Sequence, residues 1–222
     1  MSRYSSLVVD IGGTNMRYAY ANKNGISEES ILSNISDQKI NKTLSNLLSN
    51  PKIKNTVIAA AGPRLGNRIE MTNRKVIIDG DLLGRKFKLA NSQVLNDWEA
   101  VGHAIDEMKL KKIKKGKSKS NVDLMIGPGT GLGFAIVVDG KVIPTEIGNT
   151  KLHSKLLLNN LGVRPSKYFS VLEDVISGPS ISRAYQSRYK QKLSPEEIVS
   201  LAKKRNPKAI LALETYFVVD FR

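Results

Sequence analysis

Apolar residues along this chain gather in short runs broken by glycine, proline and asparagine, and the runs follow two different periods. Leu7-Val8-Val9 is a β-branched run that meets Asp10 and two glycines, the pattern of a buried strand. Arg17 to Ala21 and Ile26 to Leu32 continue it, with Asn22-Lys23-Asn24-Gly25 as the hairpin turn. Ile40, Leu44, Leu47 and Leu48 then repeat at helical spacing, and Pro51 stops that helix. Val57-Ile58-Ala59-Ala60-Ala61 predicts a second buried strand, closed by Gly62-Pro63. Ser92 to Leu95 predicts a third, leading into Asn96-Asp97. Trp98, Val101, Ile105 and Met108 then mark one face of a helix.

A lysine-rich stretch from Lys109 to Lys119 follows, and beyond it two apolar runs, Val122 to Ile126 and Phe134 to Val138. Both read as strands, and Asp139-Gly140 turns the second into Val142 and Ile143. From about Tyr168 the chain reads as helices. The last, Ala209 to Val219, is apolar on nearly every face and predicts a helix that is buried all round. Strands, helix and strand, with the same opening repeated, predict an α/β architecture with two related halves.

Composition narrows the picture. The chain of 222 residues is long enough for one large domain or two modest ones. It has no cysteine, which excludes disulfides and thiolate metal sites and fits a reducing cytoplasm. Met1-Ser2-Arg3-Tyr4-Ser5-Ser6 leads into too short an apolar run for a signal peptide or a membrane span. The net charge of +15 raises a nucleic-acid reading, but the lysine stretch lacks interleaved aromatics and reads as a solvated connector. His103 and His153 are the only histidines, and neither has a second ligand at metal spacing.

Two glycine-rich segments carry candidate chemistry. In Asp10-Ile11-Gly12-Gly13-Thr14-Asn15 an acid at a strand end precedes a tight turn whose N–H groups can face a phosphate. The Asp10 carboxylate can hold Mg²⁺, usually through water. The same residues also make a plain hairpin turn with a solvated acid. Gly127-Pro128-Gly129-Thr130-Gly131-Leu132-Gly133 places four glycines in seven residues between two strands, more than a turn needs. It lacks the Lys-Ser/Thr ending of a P-loop and the spacing of a dinucleotide fingerprint.

With two such loops on strand–turn–strand units, the chain resembles the bacterial-type glucokinases, sugar kinases of the actin and ribonuclease-H-like superfamily. Leu95-Asn96-Asp97-Trp98-Glu99-Ala100 resembles the segment whose Asn binds sugar and whose Asp is the general base. Ala59 to Pro63, Met71-Thr72-Asn73, Glu146-Ile147-Gly148-Asn149 and Leu172-Glu173-Asp174 to Pro179 follow in the family's order. The likeness runs from Leu7 to the final helix.

The resemblance implies a two-lobed actin-like kinase fold with its second lobe incomplete. A small lobe spans 1–97 and a larger one 98–222, with the sugar between them. It implies ATP and Mg²⁺, glucose or a similar hexose, and a cytoplasmic protein without nucleic acid or membrane partners; a homodimer stays open. Asp97 is the expected base, with a helix N-cap as its other reading. Asn96, Thr72, Asn73, Glu146, Asn149 and Glu173 are expected on the sugar. Asp10, Gly12, Gly13, Thr14, Asn15, Gly129, Thr130 and Gly131 are expected on the nucleotide, with Asp10 nearest the metal. Asn149 stands where the family has His and Ile147 where it has Gly, which implies a retuned sugar preference. The family also continues past the last helix, so the chain is expected to lack a C-terminal portion. A sugar-binding remnant without turnover, or a sugar-responsive regulator, are the alternative readings.

Overall fold

The computed structural model describes residues 4–113, 120–151, 158–159, 162–164 and 166–217, with side chains up to 215. Met1 to Arg3, the lysines from 114 to 119, His153 and the end of the expected final helix lie outside these residues. By internal contacts the chain divides into Met1–Asp123 with Ala135–Thr145, and Leu124–Phe134 with Glu146–Arg222. The boundary expected after Asp97 falls inside the first unit, because the helix that begins there packs on that unit's strands.

The first unit is built on a six-stranded sheet. β1 (Ser6–Ile11), β5 (Asn55–Ala60) and β9 (Asn91–Asn96) run parallel side by side, and β2 (Met16–Asn22) pairs antiparallel on the outer flank of β1. β3 (Gly25–Ile26) and β4 (Ser30–Leu32) both pair with β2. The run expected to be continuous from Ile26 to Leu32 is therefore broken. Its Ser27 side chain accepts the Tyr20 N–H at 3.0 Å, which diverts the chain before it rejoins the sheet.

Helix α1 (Asp37–Leu48) starts where the Ser36 hydroxyl accepts the Lys39 N–H, and its Ile40, Leu44 and Leu48 are buried. They join Leu7, Val9, Ile11, Ile58 and Val94 in the unit's main apolar cluster. β6 (Arg64–Leu65), β7 (Arg68–Glu70) and β8 (Ile77–Asp79) make a small antiparallel sheet, and α2 (Gly80–Phe87) leads back to β9. α3 (Asp97–His103) packs on β5 and β9. It stops earlier than its apolar face predicts. Ile105–Glu107 forms a 3-10 turn, and Met108 is extended and exposed.

β10 (Val122–Pro128), β11 (Leu132–Val138) and β12 (Lys141–Ile143) form a further sheet in that order. The β11–β12 turn has positive φ at both Asp139 (50°) and Gly140 (74°), as a two-residue hairpin loop requires. β10 is an edge strand, and Val122, Leu124 and Ile126 are exposed rather than buried.

In the second unit α4 (Gly178–Tyr189), α5 (Pro195–Lys203) and α6 (Pro207–Phe217) pack around Tyr185, Ile198 and Ala209. The expectation that α6 is buried all round is corrected. Ala209, Ala212 and Leu213 face the cluster, whereas Leu211 is exposed. One covered stripe is enough to hold a helix of this length. Among the described residues no helix is long and apolar enough to cross a membrane.

Ile58 lies fully buried at the middle of the parallel sheet. We expect Ile58→Ala to lower unfolding stability by about 2–5 kcal/mol, read from urea unfolding of the purified chain.

Candidate active site

The site in the first unit follows from strand register. Ile11 pairs with Ala60, and Ala60 pairs with Asn96, so three parallel strands end on one row. Gly12, Ala61 and Asp97 come next in the chain. Carboxyl ends of parallel strands are where open α/β sheets bind ligands.

Asp10 stands on β1 one position before that row, opposite Ala59. Its Oδ2 accepts from Arg17 Nη1 at 3.1 Å, and Arg17 Nε lies 3.4 Å from Glu29 Oε1. In the loop beyond it, the Gly12 N–H donates to the Asn15 carbonyl at 2.9 Å. Gly13 and Thr14 are exposed. Gly13 has no positive φ, and a Cβ built on it would meet nothing within 4 Å. The fold itself therefore does not demand glycine there.

Asp97 is the first residue of α3, but it is not the cap. Asn96 takes that role, and its Oδ1 accepts the N–H groups of Trp98 at 2.8 Å and Glu99 at 3.1 Å. Its Nδ2 donates to the Gly62 carbonyl at 3.0 Å, which fixes the amide in a buried position. The N-cap reading of Asp97 is thus corrected, because the neighbouring amide already satisfies the first helical N–H groups. Asp97 Oδ1 accepts the Trp98 N–H at 2.9 Å. Burial pushes the Asp97 carboxyl above its ordinary value, and the negative charge of Asp10 adds to that; the Trp98 N–H opposes both.

Two residues that the sequence did not single out hold this corner. Glu99 is only 4% exposed, and both its carboxylate oxygens accept from Arg64, Nε to Oε2 and Nη2 to Oε1, each at 2.8 Å. Oε2 also accepts the Asn96 N–H at 3.1 Å, completing a capping box. The signal was present as Asn-x-x-Glu at 96–99, but nothing in the chain pairs Glu99 with an arginine 35 residues earlier. Thr72 and Asn73 are exposed in the turn after β7, and the Thr72 N–H donates to the Ala61 carbonyl at 3.2 Å. That bond puts the turn against the end of β5.

The remaining expected residues gather in the second unit. The Gly129 N–H donates to Gly127 and Gly131 carbonyls, and the Gly129 carbonyl accepts the Gly178 N–H at 2.8 Å from the start of α4. Gly129 and Thr130 are exposed, and a Cβ on Gly129 would meet nothing. Gly131 differs. A Cβ there would sit 2.8 Å from Glu173 Oε2, the oxygen that also accepts the Leu132 N–H at 3.4 Å. Glu146 and Asn149 flank a 3-10 turn at Ile147–Asn149, with Asn149 Nδ2 3.4 Å from Glu146 Oε2. This turn packs against another at Leu172–Asp174, so Glu146, Asn149 and Glu173 share one neighbourhood with the loop. Below them Asp174 feels burial, which raises its pKa. The N–H groups of Val171 and Ser170, the Ser170 hydroxyl and Arg183 outweigh it and bring the carboxyl below its ordinary value.

His103 is exposed on α3. Among the described residues no three His, Cys, Asp or Glu side chains are grouped to hold a metal.

The chain has the two-lobed, actin-like α/β fold of the sugar kinases, as its likeness to solved glucokinase structures shows. The structure of a glucokinase from an Antarctic psychrotroph superposes with a TM-score of 0.69 at 25% identity, over 95% of this chain and 74% of that one. A ROK family glucokinase from Streptomyces griseus, solved with glucose and AMPPNP, gives 0.58 at 16% identity, over 95% and 75%. The family model described as Glucokinase matches residues 7–219, and the chain belongs to that family. A glucokinase of Mesorhizobium japonicum is 28% identical over 247 residues, covering 96% of this chain and 70% of the relative.

The Arg64–Glu99 pair is asymmetric, with side chains 26% and 4% exposed. Arg64→Ala leaves Glu99 buried without its partner and is expected to cost about 3–5 kcal/mol. Glu99→Ala leaves an arginine that water already reaches, so its cost in thermal or urea unfolding is expected to be smaller.

Proposed function

We propose that this chain phosphorylates glucose, or a hexose with a like hydroxyl pattern, using ATP with Mg²⁺ and Asp97 as general base. The observation that carries the reading is the position of Asp97. It is a partly buried acid at the end of the parallel strands, beside Asp10 and the first glycine loop, with its pKa raised. A carboxylate so tuned is a better proton acceptor than a solvated one. Asp97 takes the proton from the attacking sugar hydroxyl, whose oxygen forms the new bond to the γ-phosphorus as ADP leaves. Asn96 and Glu99 hold the helix start that carries Asp97.

Gly12 to Asn15 and Gly129 to Gly131 are the expected phosphate loops, since a Cβ on Gly13 or Gly129 would meet no described residue within 4 Å. Asp10 suits Mg²⁺ contact through water. A single carboxylate near triphosphate oxygens fits an ion that keeps several waters and takes one or two carboxylates. The ion supplies charge neutralisation on the phosphates. Glu146, Asn149 and Glu173, with Thr72 and Asn73, offer the acceptors and amides that a polyol needs. The Streptomyces griseus relative, captured with glucose and AMPPNP, supports both ligands. A chain without cysteine that uses ATP suits the cytoplasm.

The test is a coupled glucose phosphorylation assay on the chain and on Asp97→Asn. We expect turnover in the first and a loss of about 10²–10⁴-fold in kcat in the second. Because the folded pKa of Asp97 is raised, its charge subtracts from stability at neutral pH, and that loss is relieved as pH falls. Asp97→Asn is therefore expected to unfold at the same or a higher temperature while losing activity. In the unsubstituted chain the acid limb of kcat/KM is expected above the ordinary carboxylate value. A folded chain that binds glucose without turnover would leave a sugar-binding remnant instead.

A further inference from the structure

Arg74 was not among the residues that the motifs pointed to, yet its guanidinium makes three hydrogen bonds and lies deeper than that of Arg64. Its side chain is 9% exposed. Nη1 donates to the Ile35 carbonyl at 2.8 Å and to Asp37 Oδ1 at 3.0 Å. Nη2 donates to the Gly13 carbonyl at 2.8 Å. Asp37 is fixed in turn, since its Oδ2 accepts the Lys75 N–H at 3.0 Å. Nε is buried with no acceptor. An arginine sunk this deep with one N–H unpaired is costly. Stability alone is thus a poor reason for keeping it.

Peptide geometry supplies another reason. In a planar trans peptide the C=O and the following N–H point in opposite directions. The Gly13 carbonyl is drawn onto Arg74, so the Thr14 N–H points the other way. The Thr14 carbonyl accepts the Ile35 N–H at 3.4 Å, which turns the Asn15 N–H away in the same manner. Neither N–H donates to a described residue. Two successive N–H groups are thus left without a described acceptor, with Gly13 open beside them, and backbone N–H groups in a turn suit an anion.

We propose that Arg74 is a positioning residue for nucleotide: by holding the Gly13 carbonyl it presents the Thr14 N–H to a phosphate oxygen of ATP. The inference rests on the ATP-binding role proposed above for this loop. Arg74 acts through the backbone and touches no reacting atom.

The experiment compares the wild-type chain with Arg74→Ala and Arg74→Lys. Binding of a non-hydrolysable ATP analogue with Mg²⁺ is measured by calorimetry, alongside KM for ATP and for glucose and the thermal unfolding midpoint. Hydrogen bonds to charged groups imply that Arg74→Ala raises the analogue Kd and the ATP KM by roughly 10–100-fold. The glucose KM is expected to stay within about twofold, since a residue serving one ligand splits the constants. Arg74→Lys is expected to fall between, because one ammonium cannot reproduce the guanidinium fork. If Arg74→Ala does not fold, Arg74→Lys carries the test alone. Unchanged analogue affinity in a folded variant, or equal losses for both ligands, would overturn the assignment. A wild-type chain that binds no analogue would instead sink the ATP-binding reading, and the Arg74 assignment with it.

Discussion

Everything around the candidate base depends on the register between three parallel strands. Ile11, Ala60 and Asn96 lie on one row, so the segments that follow them emerge at the same level. A one-residue slip of β9 would turn its buried residues to the opposite face and carry Asp97 away from Asp10. Register is strongly specified because the strands bury Leu7, Val9, Ile11, Ile58, Ala60 and Val94 in one apolar cluster. Hydrophobic burial thereby fixes where the polar groups can meet, without contributing any chemistry itself.

On that frame, polar groups with different tasks sit within a few residues of each other. Asn96 and Glu99 are fully engaged in starting α3, one through its amide and the other through Arg64. Asp97 stands between them and is relieved of the capping task, while burial and Asp10 raise its pKa. Residues that make the helix possible thus leave a destabilised carboxylate at its first turn. Such local conflict, tolerated where the surroundings are firmly held, is common at catalytic positions.

The glycines divide by cause. At Gly131 a Cβ would displace the Glu173 carboxylate, which accepts the Leu132 N–H. Gly140 is required by a positive φ in a hairpin. Gly13 and Gly129 meet neither condition, and their surroundings leave room for a side chain. For these two, the phosphate contact proposed above would supply a reason for glycine.

Much of this was legible along the chain. Short apolar runs identified the strands of the parallel sheet, helical spacing identified α1, and turn chemistry placed the hairpins at Asn22–Gly25 and Asp139-Gly140. The order of seven short motifs pointed to the sugar kinases, and the family match over residues 7–219 bears that out. Pattern failed where burial depends on neighbours far along the chain. Val122, Leu124 and Ile126 form the strand their run predicts, but at a sheet edge and exposed, and Leu211 of the helix expected to be buried all round is exposed. Local sequence could name Asp97 as an acid at a strand end, because that rests on the residues beside it. Only tertiary structure could pair Glu99 with Arg64 and bring Arg74 onto the Gly13 carbonyl 61 residues away. Those bonds join elements distant in sequence, and no periodicity or spacing encodes a contact that exists only once the sheet has closed.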